Sequence, residues 1–188
     1  MTRPKLTLIA GANGSGKTTL TRWNAELFRS IPVLDPDSIG KPLQPTSSAA
    51  FPIEGARQVL KSAGDHLRRA TSFAVETTLS GKNYLRMLLD ARRRGFEIVL
   101  IYIGTDNVET NLSRVRQRVL AGGHDVPETD VRRRYLRSLA NLPIAAKRSD
   151  YTILFDNSTK EGYRLIAILG PTGSQWLNPR PDWASAVA

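Results

Sequence analysis

The chain of 188 residues contains no cysteine. Disulfides, thiolate metal sites and thiol nucleophiles are thereby excluded, which leaves carboxylates, hydroxyls and cations to carry any chemistry. Histidine is nearly absent as well: the chain has two, His66 and His124. Both read as turn or surface residues, and neither is assigned as a base. No apolar run approaches the roughly 20 residues that span a bilayer, and the N-terminus passes straight into a strand-like segment without a signal-peptide pattern. The expectation is a cytoplasmic protein with no membrane partner. Acidic residues are the scarcer charge, 17 Asp and Glu against 27 Lys and Arg, for a formal net charge of +10. Such an excess attracts anions. The aromatic residues, 7% of the chain, are not interleaved with the basic clusters, and no nucleic-acid-binding module is recognisable. Nucleic acid is therefore not the favoured partner.

What the sequence does contain is a loop. Gly11, Ala12, Asn13, Gly14, Ser15, Gly16, Lys17 and Thr18 match the phosphate-binding pattern of two glycines separated by four residues and followed by Lys and Ser or Thr. Leu6, Leu8 and Ile9 form a short apolar strand before it, and Thr19 to Phe28 read as a helix after it. Strand, loop and helix in that order are what the mechanism requires. Glycines let successive N–H groups turn toward one anion, and the helix start adds its positive end. Lys17 is expected to reach the β and γ phosphates, and the Thr18 hydroxyl to be a Mg²⁺ ligand. The implied ligand is ATP or GTP with Mg²⁺.

Strands alternate with helices beyond the loop. Ile31 to Leu34 read as a second strand, Glu54 to Arg69 as an amphipathic helix, Phe73 to Val75 as a buried strand delivering Glu76, and Tyr84 to Arg94 as a helix stopped by Gly95. Ile98 to Ile103 form a continuous apolar run of the kind buried on both faces of a parallel sheet. Helices follow at Val108 to Leu120 and from Pro127, then strands at Tyr151 to Phe155 and Tyr163 to Leu169. This alternation predicts a three-layer α/β/α sandwich of the P-loop NTPase class, kinase-like, with a mainly parallel sheet of five or six strands. One kinase domain over residues 1–170 and an irregular tail over 171–188 are expected, with Trp176 and Trp183 as candidates for pinning the tail to the body.

Ligands of open parallel sheets bind beyond the carboxyl ends of the strands. The phosphate-binding loop with Thr19, Asp35 and Asp37 after the second strand, and Glu76, Thr77 and Thr78 after the third should therefore converge. Phosphoryl transfer to a hydroxyl needs a carboxylate that accepts the hydroxyl proton. Asp37 is the chosen base, with Asp35 as competitor. Glu76 fits either a Mg²⁺ water or an acceptor hydroxyl. Arg118, one turn before Ala121-Gly122-Gly123-His124, is placed to swing onto the transferring phosphate, and Arg114 shares its helix face. One of Arg132, Arg133 and Arg134 is a further phosphate candidate. A nucleotide switch, a nucleic-acid-associated ATPase and a kinase of nucleotides or other metabolites are the competing readings.

Five motifs in this order resemble those of the small bacterial zeta-toxin-like P-loop kinases, over about Lys5 to Ser158. They are the loop at Gly11, Leu-Asp-Pro-Asp at Leu34, Phe-Ala-Val-Glu-Thr-Thr-Leu-Ser-Gly at Phe73, Arg-Val-Leu-Ala-Gly-Gly-His-Asp-Val-Pro at Arg118 and Phe-Asp-Asn-Ser at Phe155. The resemblance implies a kinase-type sheet, ATP or GTP with Mg²⁺, and phosphorylation of a hydroxyl. In characterised zeta toxins that hydroxyl belongs to a UDP-N-acetyl amino sugar, so UDP-N-acetylglucosamine is the implied acceptor and an antitoxin protein the implied partner. Asp37 falls on the family's catalytic aspartate, Glu76 and Thr78 on substrate-binding positions, and Arg118 on a phosphate-contacting arginine.

Overall fold

A computed structural model of the protein describes residues 2–36 and 51–187, with the backbone alone for 51–54. Asp37, the chosen base, lies outside the described residues. Seven strands form one sheet in the order β2-β3-β1-β4-β5-β6-β7: β1 Lys5–Ala10, β2 Val33–Leu34, β3 Phe73–Thr77, β4 Glu97–Gly104, β5 Tyr151–Asp156, β6 Arg164–Gly170 and β7 Gly173–Trp176. The first five in that order pair in parallel, while β6 and β7 return antiparallel at the far edge. The described helices are α1 Lys17–Trp23, α2 Phe51–Arg69, α3 Lys82–Arg93, α4 Val108–Leu120 and α5 Glu128–Lys147.

Side chains alternate across a strand, so β1 feeds two cores. Leu6, Leu8 and Ala10 join Phe73, Val75, Leu100 and Tyr102 against Val59 and Ala63 of α2, Leu85 and Leu88 of α3, and Leu142 and Ala145 of α5. Ile9, Ala74 and Ile103 face the other way, onto Leu20 of α1 and the half-buried Phe28 and Tyr163. A third cluster, Leu112, Val115, Val126 and Val131, ties α4 to α5. Helices thus cover both faces of the sheet. β1 sits centrally, where the chain first turns one way to β2 and β3 and then the other way to β4, and ligand sites open at such a switch point.

Two local expectations change. The helix expected over Thr19 to Phe28 ends at Trp23, because the Asn24 side chain donates to the Leu20 carbonyl at 2.9 Å and its backbone N–H does so at 3.1 Å. A Ser, Thr, Asn or Asp side chain that takes a backbone partner competes with helix propagation, and a single 3₁₀ turn, Ala25–Phe28, follows. The tail expected to be irregular contributes β7 as a seventh strand, one more than the upper expectation. Pro171 and Thr172 make a two-residue turn between paired Gly170 and Gly173, a connection whose Pro and Gly had signalled irregularity. Among the described residues, no helix is long and apolar enough to cross a membrane.

Candidate active site

The loop Gly11 to Thr18 leaves the carboxyl end of β1 and enters α1. Geometry requires its glycines, as Gly14 and Gly16 illustrate. Gly14 has φ +77° and a Cβ there would stand 2.5 Å from the Asn111 carbonyl oxygen; Gly16 has φ +105° and a Cβ would meet both the Asn157 amide and the Tyr163 hydroxyl at 2.6 Å. Any L side chain would combine backbone strain with a clash. Inside the loop, the Ala12 carbonyl accepts from the Ser15 N–H at 3.1 Å and from Lys17 Nζ at 3.1 Å, so the lysine arches over the loop it belongs to.

Glu76 is not at a solvated strand end. It is the fourth residue of β3, 4% exposed, paired in register with Ile9 just before the loop. The Thr18 hydroxyl donates to its Oε2 at 2.9 Å, and the Thr21 hydroxyl lies 2.6 Å from its Oε1. Hydroxyl and carboxylate oxygens side by side are the hard donors that Mg²⁺ takes, directly or through water, so this pair fits that ion. Thr77 is buried, and its Oγ1 accepts the Leu79 N–H at 2.9 Å. That bond supports a turn in which Leu79, fully buried, has φ +56°, a conformation costly for a non-glycine residue. Half-buried Thr78 shares a hydrogen bond of 2.9 Å with Ser80. Asp35 follows β2 directly, half-buried, and its charge adds to the burial that raises the pKa of the Tyr84 hydroxyl. Thr19 is exposed, beside the Tyr163 hydroxyl.

The arginines separate. Arg114 donates to the Asn157 carbonyl at 2.7 Å and the Thr159 carbonyl at 3.3 Å, lining the loop after β5. Arg134 spans Asp130 at 3.3 Å and the Asn13 side-chain oxygen at 3.5 Å, which brings it to the phosphate-binding loop itself. Arg132 and Arg133 instead form exposed ion pairs with Glu109, Glu128 and Asp130. Arg118 donates to the His124 carbonyl at 2.7 Å and its stem packs on Gly123, so a swing onto a phosphate would have to break that bond.

Three residues that the sequence reading passed over hold the loop from outside. Asn111, fully buried, donates to the Asn13 carbonyl at 2.7 Å and accepts from the Thr105 hydroxyl. Asn157 donates to the Ser15 carbonyl at 2.8 Å, and the Tyr163 hydroxyl to the Gly16 carbonyl at 2.6 Å. Asn157 did lie in a motif that carried the resemblance; nothing in the local sequence marks Asn111 or Tyr163. A separate cleft of about 700 Å³, lined by Ser30, Asp65, His66, Arg69 and neighbours, opens at the opposite ends of β2 and β3 and does not include the loop.

The fold is shared with known proteins. A crystal structure of AvrRxo1-ORF1 with AvrRxo1-ORF2 and sulphate ions superimposes with a TM-score of 0.74 over 94% of this chain, at 17% identity. The present chain spans 61% of that one. The PezAT toxin-antitoxin system of Streptococcus pneumoniae gives a TM-score of 0.63 at 16% identity, covering 97% of this chain and 76% of the other. At such identities the likeness is one of fold, the α/β fold of P-loop kinases. An uncharacterized protein of Haemophilus influenzae is 34% identical over 131 residues, 70% of this chain and 92% of that protein. The zeta toxin family profile matches residues 1–160, a span that contains the phosphate-binding loop, Glu76, both arginine groups and Asn157. The chain belongs to the zeta toxin family.

Proposed function

We propose that this chain is an ATP-dependent phosphotransferase that moves the γ-phosphate to a hydroxyl of a small molecule, with a UDP-N-acetyl amino sugar such as UDP-N-acetylglucosamine as the acceptor. The observation that carries the reading is the Thr18 to Glu76 hydrogen bond of 2.9 Å beside a loop arched over by Lys17. A hydroxyl beside a buried carboxylate at this point supports a role for the pair toward a nucleotide-bound Mg²⁺. Loop N–H groups and Lys17 bind the phosphates in this reading, and Thr18 and Glu76 are the residues that would hold Mg²⁺. The ion would supply charge neutralisation for the transferring phosphate.

Asp37 is the base in this reading, accepting the acceptor's hydroxyl proton as its oxygen attacks phosphorus and ADP leaves. Asp35, one residue past β2, steadies that segment; Thr78 orients the acceptor, and Thr77 supports the turn that presents Thr78. Arg134, Arg114 and Arg118 stabilise the charge that develops on the equatorial oxygens. An antitoxin protein is the implied partner in this reading.

The test is transfer of labelled γ-phosphate from ATP to a metabolite pool that includes UDP-N-acetylglucosamine. A labelled small molecule is expected with the wild-type chain, and none with Asp37→Asn, which should still bind ATP. Unchanged transfer by Asp37→Asn removes Asp37 as the base. ATP hydrolysis that nucleic acid stimulates, with no phosphorylated product, refutes the kinase reading.

A further inference from the structure

The carbonyls of Asn13, Ser15 and Gly16 are each claimed from outside the loop, by Asn111, Asn157 and Tyr163. No described peptide is cis, and in a trans peptide the N–H points opposite to the C=O. Each outward carbonyl therefore turns the next N–H inward: those of Gly14, Gly16 and Lys17. The direction of the loop's donors is thus set from outside as well as by its glycines.

One of these anchors comes from an unexpected part of the chain. The family profile ends at residue 160, and Tyr163 lies beyond it, immediately before β6. Its ring is held edge-on by Trp23 at 5.8 Å and Phe155 at 6.4 Å. Burial raises its hydroxyl pKa, so the group stays a donor at neutral pH. The segment behind it is locked to the body: β6 pairs with β5, and Trp183, 7% exposed, donates from Nε1 to Asp156 at 3.1 Å and packs on Tyr102 at 5.7 Å. Asp156 directly precedes Asn157, so the same segment braces two of the three anchors.

We infer that Tyr163 is a positioning residue of the phosphate-binding loop, and that the strands beyond the family's matched span are a working part of the nucleotide site. This rests on the reading that the loop binds a nucleoside triphosphate. The Gly16 carbonyl also accepts the Leu20 N–H at 3.0 Å in the first turn of α1, and the Tyr163 hydroxyl at 2.6 Å is the second hold that keeps the Lys17 N–H turned into the loop. The ring supplies packing, and the hydroxyl supplies direction.

Tyr163→Phe and Tyr163→Leu separate the two contributions. The full-length proteins are titrated with MgATP and with inorganic tripolyphosphate, and the Lys17 amide is followed by ¹H–¹⁵N correlation spectra of the free proteins. Losing one net hydrogen bond predicts about fivefold weaker binding of both probes by Tyr163→Phe, with a displaced Lys17 amide resonance. Tyr163→Leu should bind no worse than Tyr163→Phe while unfolding at a lower temperature. Binding by Tyr163→Phe within twofold of wild type with the Lys17 amide unmoved overturns the inference. So does a loss seen only in Tyr163→Leu, which would make the ring rather than the hydroxyl responsible. If wild type binds neither probe the nucleotide reading fails instead, and the Lys17 amide shift still reports whether the hydroxyl sets the loop.

Discussion

Replacing Asn111 by alanine tests the external support of the loop most directly. Asn111 is 0% exposed and makes two bonds, donating to the Asn13 carbonyl at 2.7 Å and accepting from the Thr105 hydroxyl. Alanine strands both partners, and Asn13 and Thr105 are themselves 7% and 1% exposed, so water does not reach them without rearrangement. A buried polar group left unpaired costs about 1–3 kcal/mol. With partial relaxation the pair costs about 2–4 kcal/mol, equivalent to a fall in Tm of roughly 4 to 16 °C for a domain of this size. Because the Gly14 N–H also loses its fixed direction, MgATP binding should weaken by about tenfold, the equivalent of about 1.4 kcal/mol. Thermal unfolding and ATP titration would be run on Asn111→Ala, Thr105→Val and the double variant. Residues in one hydrogen-bond chain are non-additive, so the double variant should lose less than the sum of the singles. A stability loss below about 0.5 kcal/mol for Asn111→Ala, the size of an ordinary surface substitution, would refute the claim that Asn111 supports the loop.

Other outcomes follow from the same geometry. Glu76→Gln retains shape but replaces an acceptor oxygen facing Thr18 or Thr21 with a donor; the Mg²⁺ concentration that half-saturates ATP binding should rise about tenfold, as outer-sphere ligands typically dictate, read by titrating Mg²⁺ at fixed nucleotide. Gly16→Ala should abolish ATP binding measured by calorimetry, since its Cβ meets two side chains at 2.6 Å in a left-handed backbone. Burial pushes the Tyr102 hydroxyl well above its ordinary value of 10.0. The unfolded chain therefore loses that proton first, so stability is held below about pH 10 and falls as pH rises from there toward the folded pKa; urea unfolding at stepped alkaline pH reads this, and Tyr102→Phe should flatten the fall.

The sequence made the loop legible because its function demands fixed residue types at fixed spacing, and β4 legible because burial on both faces leaves an unbroken apolar run. Glu76 and Thr18 were both identifiable as candidates, but Thr21 was not, because it meets Glu76 only through the β1–β3 pairing. β7 hid behind Pro171 and Gly173, residues that serve a tight turn and irregular chain alike. The anchors were hardest to see. A lone Asn in a helix, or a lone Tyr before an edge strand, carries no periodic or motif signal, and its meaning depends on a partner far away in the chain. Among the arginines, adjacency in sequence obscured function: Arg132 and Arg133 find acidic neighbours on the surface, while Arg134, one step further round the helix, reaches Asn13.

The anchors stand 98, 142 and 147 residues from the carbonyls they hold. Contacts of such separation form late, after the intervening chain has been ordered. During synthesis the loop emerges well before Tyr163, which is made 147 residues after Gly16. A partly made chain would carry the whole phosphate-binding motif and lack the wall that orients it. Nucleotide affinity would then mature with the fold, and triphosphate binding would mark the completed molecule rather than the presence of its signature sequence.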